Sequence, residues 1–112
     1  MSVAAPFITR TFGFFTPQDC TANYHMFYVL AKDGATRDAL MEHLRKRGIS
    51  AVFHYVPLHS SPMGQRLGGN ARQLPVTDAT SSRLLRLPFY YTITEEEQAE
   101  VVQQITAFFR GK

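Results

Sequence analysis

The sequence predicts a small α+β domain, a mainly antiparallel sheet of three or four strands with helices on one face. Strand-like and helix-like stretches alternate along its 112 residues. The strand-like runs, YHMFYVL, ISAVFHYV and LPFYY, are short and rich in aromatic and β-branched residues. The composition, 45% apolar and 12% aromatic, can fill one core in a chain of single-domain length.

Residues 1–16 show no clear period and are bracketed by Pro6 and Pro17. They are read as an unassigned leader, with room for a strand at Phe7–Phe15. The domain proper is placed at residues 17–112. Tyr24–Leu30 is the strongest strand signal. One face would carry His25, Phe27 and Val29, the other Met26, Tyr28 and Leu30. Apolar residues on both faces imply a strand covered on both sides, and a chain with few helices leaves one face expecting a partner.

Thr36–Arg47 is predicted helical, with Thr36 as its cap and Asp38 in its first turn. Leu40 and Leu44 mark its apolar stripe, and Gly48 stops it. His43 is expected to be partly exposed. Ile49–Val56 is the second predicted strand, with Phe53 and Tyr55 on the face of Ala51 and His54 on the face of Val52 and Val56. Pro57 has no N–H and ends the ladder. A turn through Leu58–Ser61 follows, then a short helix opened by Pro62 and broken at Gly68-Gly69-Asn70.

Thr77–Arg86 is predicted as a helix capped by Thr77, with Asp78 in its first turn and Leu84 and Leu85 as its apolar contribution. Pro88 would end it, and Leu87–Tyr91 would form a short strand. Thr94–Arg110 is the clearest helix. Thr94 and Glu97 have the spacing of a capping box, and Val101, Val102, Ile105, Phe108 and Phe109 form one apolar stripe.

The net charge of +3 is modest, and the basic run Arg45-Lys46-Arg47 sits at a helix end, where it complements the dipole and pairs with Glu42. The other basic residues are scattered, which argues against a nucleic-acid partner. Apolar runs fall far short of the roughly 20 residues of a membrane span. The start, MSVAAPFITRTFGFF, lacks the charged-then-apolar pattern of a signal peptide, so a cytoplasmic location is expected. Cys20 is the only cysteine, which suits a reducing compartment; it is expected to be a small buried apolar residue.

Chemistry is concentrated in FHYVPLHSSP, Phe53–Pro62. The His54 and His59 pair has too few companions for zinc, since no cysteine pair is present and the acids closest in sequence are Glu42 and Asp78. Ser60 and Ser61 adjoin His59 but lack a nucleophile elbow. Gly68-Gly69 lacks the spacing of a phosphate loop. The residues alone therefore give a module with one polar strand end and a buried interface, but no complete active site.

FHYVPLHSSP resembles the H-Y-x-P-x-H element of the nucleotide-sugar aminotransferases of the DegT/DnrJ/EryC1/StrS family, in their C-terminal small domain. NYHMFY (residues 23–28), RDALMEHLRKRGI (37–49), LLRLPF (84–89) and TEEEQ (94–98) resemble flanking blocks of that domain in order and spacing. The resemblance covers residues 17–112. It implies the fold of the C-terminal domain of fold-type I pyridoxal-phosphate transferases. Within the family, the element is most similar to that of enzymes that aminate dTDP-4-keto-6-deoxyglucose, with glutamate as amino donor, for lipopolysaccharide and related surface polysaccharides.

The resemblance assigns pyridoxal phosphate to the full-length enzyme, whose large N-terminal domain carries the Schiff-base lysine. None of Lys32, Lys46 and Lys112 sits in such a motif, so this chain alone is expected to hold no cofactor and to catalyse nothing. By the same resemblance His54, Tyr55 and His59 are substrate-side residues facing a dTDP-sugar, with Pro57 fixing the turn. Alternatively, His54 and Tyr55 satisfy one another and the backbone at a domain junction. The implied partners are the lysine-bearing domain or a homodimer mate. The competing reading is a stand-alone, non-catalytic binding or dimerisation module derived from that domain.

Overall fold

In the computed structural model, which describes residues 17–21, 23, 25–69 and 73–111, two short strands and four helices follow one another. The order is β1 (Phe27–Leu30), α1 (Gly34–Arg45), a 3-10 turn (Leu58–Ser60), α2 (Pro62–Arg66), α3 (Pro75–Arg83), β2 (Leu84–Leu87) and α4 (Glu95–Arg110). The class is α+β, as expected. β1 and β2 pair antiparallel, from Phe27 opposite Leu87 to Leu30 opposite Leu84. Val29 and Leu85 are thereby directly opposed, and both enter the core. The strand expected within residues 7–15 and the start of β1 at Tyr24 lie outside the described residues; His25 and Met26 precede the strand.

α1 begins at Gly34, two residues earlier than Thr36 suggests. Its N-cap is Asp33, whose Oδ1 accepts the Thr36 N–H at 2.7 Å, while Thr36 itself is buried. A carboxylate there satisfies an orphan helix donor and complements the positive helix end. Leu40 and Leu44 are buried, and Glu42 pairs with Arg45 at 2.7 Å and Lys46 at 3.9 Å.

α4 follows its sequence closely. Thr94 Oγ1 accepts the Glu97 N–H at 3.1 Å, and Glu97 Oε2 accepts the Thr94 N–H at 2.8 Å, which closes the capping box. Val101, Ile105 and Phe109, each four residues apart, face the core. α1 packs against α4, and His43 joins them. Its Nε2 donates to the Gln104 carbonyl at 3.0 Å, and its ring meets Phe108 edge-on. The core combines these residues with Val29, Leu40, Leu44, Ile49, Ala51 and Leu85. Leu40, Leu44 and Leu85 are fully buried, each worth about 1.5–3 kcal/mol of transfer free energy.

Three expected elements differ. The second strand, expected over Ile49–Val56, is reduced to one bridge, in which Val52 and Arg86 exchange N–H···O bonds of 3.1 and 2.7 Å. Tyr55 takes a left-handed backbone (φ 61°), which breaks the extended run, and Pro57 cannot donate. The third segment therefore touches the sheet at one point rather than completing a third strand. The helix expected over Thr77–Arg86 runs instead over Pro75–Arg83, because Pro75 occupies the first turn, where a missing N–H costs nothing. Leu84 and Leu85 leave it for β2, where pairing with β1 buries both. Pro88 then ends the strand, so residues 88–91 of the expected strand lie outside it. Cys20 is exposed, not buried. Among the described residues no helix is long and apolar enough to cross a membrane.

Candidate functional site

Once past the Val52 bridge, the chain leaves the sheet as an exposed segment, and it is here that the polar residues gather. Phe53 lies under Arg37, whose Cζ is 5.9 Å from the ring centroid. The His54 and Tyr55 rings are 5.2 Å apart and tilted at 53°, and Arg86 reaches the Tyr55 ring at 5.8 Å. Tyr55 is 70% exposed. A tyrosine with positive φ, held for no gain in burial, is an unusual expense for a backbone. The ring lies within reach of both the His54 imidazole and the Arg86 guanidinium.

Pro57 is extended (φ −56°, ψ 143°), and its carbonyl accepts from Ser60 N at 3.2 Å and Ser61 N at 3.0 Å, closing the 3-10 turn. Both serines are committed to the backbone. Ser60 Oγ donates to Pro57 O at 3.3 Å; Ser61 Oγ donates to Leu58 O at 2.8 Å and accepts from Gly64 N at 3.0 Å as the cap of α2. The turn seats against glycine. A Cβ on Gly64 would collide with the Leu58 carbonyl, and one on Gly69 with that of His59.

Facing this segment across a cleft is α3. The cleft, about 370 Å³, is lined by His54, Tyr55, Val56 and Pro57 on one side and Val76, Thr77, Thr80 and Ser81 on the other, with Leu84 between. It sets an imidazole, a phenol and hydroxyls beside apolar side chains, groups that can hydrogen-bond and stack. His59 is not among the lining residues. Its side chain is 11% exposed, and Nε2 donates to Asp78 Oδ1 at 2.8 Å. The structure thus brings His54 and Tyr55 to one cleft and sets His59 behind it. Asp78 was missed as a site residue because it lies 19 positions from His59. The histidine at a turn and the acid in a helix's first turn each have a local explanation.

The residues at the cleft do not fit a covalently held pyridoxal phosphate. Among the described residues no lysine lines it; Lys32 is exposed, and Lys46 is exposed and beside Glu42. The chemistry these residues can supply includes hydrogen bonding from the imidazole, the phenol and the hydroxyls, and stacking on the rings. Among the described residues no group of three or more potential metal ligands is assembled.

The fold is that of a segment of an aminotransferase. The structure superposes on the aminotransferase TlmJ of Streptoalloteichus hindustanus with a TM-score of 0.74 and 25% identity, covering 85% of this chain and 24% of that one. Residues 9–106 match the DegT/DnrJ/EryC1/StrS aminotransferase family, and the chain belongs to that family. It is 33% identical over 96 residues to a pleiotropic regulatory protein of Geobacillus stearothermophilus, covering 85% of this chain and 26% of the relative. It is 28% identical over 101 residues to the dTDP-3-amino-3,4,6-trideoxy-alpha-D-glucose transaminase of Micromonospora megalomicea subsp. nigra, covering 88% of this chain and 27% of the relative. The chain therefore spans about a quarter of the length of these curated relatives.

Proposed function

We propose that this chain acts as the substrate-side small domain of a pyridoxal-phosphate-dependent nucleotide-sugar aminotransferase, of the dTDP-4-amino-4,6-dideoxygalactose transaminase type, with glutamate as amino donor. In this reading His54, Tyr55 and His59 form the sugar-nucleotide wall. His54 and Tyr55 meet the ligand, and His59 holds the wall from behind. The cofactor and its lysine belong to the large domain of such an enzyme, in the cytoplasm, and the present residues contribute positioning alone. Positioning of this kind can be worth orders of magnitude in rate.

The observation that carries the proposal is the cleft itself, where an exposed, left-handed Tyr55 and His54 stand opposite threonine hydroxyls. The apolar side chains left on the surface support the same reading. Leu58 is 87% exposed and Leu67 80%, beside Val56 and Met63 on the same stretch. Such a surface expects cover by a large domain or a second copy. It equally suits a stand-alone dimerisation module, and cleft occupancy separates the two.

The test is titration of the chain with dTDP-glucose while the imidazole and backbone signals of residues 54–59 are followed by NMR. Saturable shifts at His54 and Tyr55, lost in His54→Ala, are expected. Signals that stay fixed across the titration would remove the nucleotide-sugar from the reading and leave the dimerisation module.

A further inference from the structure

The two walls of the cleft come from separate parts of the chain. His59 follows the first wall by two residues, and Asp78 lies within the second, between Thr77 and Thr80. Their side chains meet at 2.8 Å. The two partners are unequally placed, His59 being largely enclosed and Asp78 half open to water at 55%.

We infer that Asp78 is a positioning residue that, through His59, sets the spacing of the two walls and so the presentation of His54 and Tyr55 to a nucleotide-sugar. The His59 side of the link is stiff, since its turn is closed on the Pro57 carbonyl and backed by Gly69. The Asp78 side needs a link. α3 buries no residue and has no side-chain cap at its start, and residues 75–79 are all exposed. Its far end is secured separately, by Arg37 Nη1 donating to the carbonyls of Ser81 at 3.2 Å and Leu84 at 3.4 Å. α3 touches α1 but buries no residue, so its exposed first turn is positioned by side-chain contacts such as these. With one end fixed by Arg37, the hydrogen bond at Asp78 determines where the first turn lies relative to Pro57. Asp78 is the only acid and Arg83 the only base on α3, and the turn and α2 add Arg66.

This inference rests on the cleft being the nucleotide-sugar site, and its test separates the two ideas. Asp78→Ala, Asp78→Asn and His59→Ala are prepared in the full chain. The link is read without ligand, from the His59 Nε2–H signal and from the His54 and Tyr55 resonances. In Asp78→Ala the Nε2–H signal broadens by solvent exchange and the His54 and Tyr55 resonances shift. Asp78→Asn keeps an acceptor oxygen and restores both. Affinity for dTDP-glucose falls about fivefold in Asp78→Ala, the scale of one hydrogen bond with an exposed partner, and recovers in part in Asp78→Asn, which keeps the acceptor but not the charge. The Asp78→Ala/His59→Ala double variant loses no more than either single one. Unmoved His54 and Tyr55 resonances in a folded Asp78→Ala overturn the inference, whatever the ligand does. If wild type ignores dTDP-glucose while those resonances respond, the link stands and the choice of ligand falls.

Discussion

Tyr55 allows the local strain to be measured with a sign rather than only a size. An L-residue in the left-handed region costs about 1–2 kcal/mol that glycine avoids. Glycine's greater freedom in the unfolded chain offsets about 0.5–1 kcal/mol of this. Comparing Tyr55→Gly with Tyr55→Ala removes the ring in both, so its contacts with His54 and Arg86 cancel. At φ 61° the glycine variant should therefore be the more stable of the pair, by about 0.5–1 kcal/mol, or roughly 2–4 °C in Tm for a domain of this size. Were residue 55 extended, as in a strand running through Val56, the order would reverse, because glycine is the weaker strand residue by about the same amount. Urea unfolding followed by circular dichroism, run on both variants in parallel, reads the difference. An alanine variant more stable than the glycine variant would refute the left-handed assignment and return the segment to the sheet. Both variants should lose affinity for dTDP-glucose, since neither keeps the ring.

Two further outcomes test the frame around the cleft. Leu85→Ala removes a fully buried side chain at the point where β2 meets β1 and the helices; a loss of about 2–5 kcal/mol by urea unfolding is expected, and a loss below about 1 kcal/mol would place Leu85 outside the core. Glu97 has its carboxyl held below the usual carboxylate range, first by the Thr94 backbone N–H and then by the Tyr90 hydroxyl. A depressed folded-state value gives stability that is present above the unfolded value and lost as pH falls through the folded one. Glu97→Gln should accordingly flatten the acid side of the stability–pH curve, from the ordinary carboxylate range downward. Identical slopes for the two proteins would show that the capping box does not titrate as described.

How far the sequence is legible depends on whether the deciding interaction is local. α4 is readable because Thr94, Glu97 and the stripe from Val101 to Phe109 all lie on the element they define. The end of α3 is not, because Leu84-Leu85 fits a helix face as well as a strand, and only pairing with β1 decides between them. The failure of the second strand turns on one residue. Tyrosine is a good strand former, and nothing in FHYVP marks Tyr55 for positive φ. One wall of the cleft lies in a stretch the sequence marks out, since polar and proline residues cluster there in ten positions, and His54 and Tyr55 line it while His59 does not. The other wall was not legible. Thr77 and Thr80 reach the cleft, and Asp78 reaches His59, only through the fold.

The absence of any buried residue on α3 bears on how such a cleft can change over time. Val76, Thr77, Thr80 and Ser81 line the cleft, yet none belongs to the core cluster. Replacing them alters size and polarity at the cleft while the packing among Leu40, Leu44, Leu85 and Ile105 stays as it is. Because most substitutions are filtered by the stability they cost, a wall without core duties can vary more widely than one facing inward. The residues that line this cleft on α3 and those that hold the core are thus different sets, and the first can change while the second stays fixed.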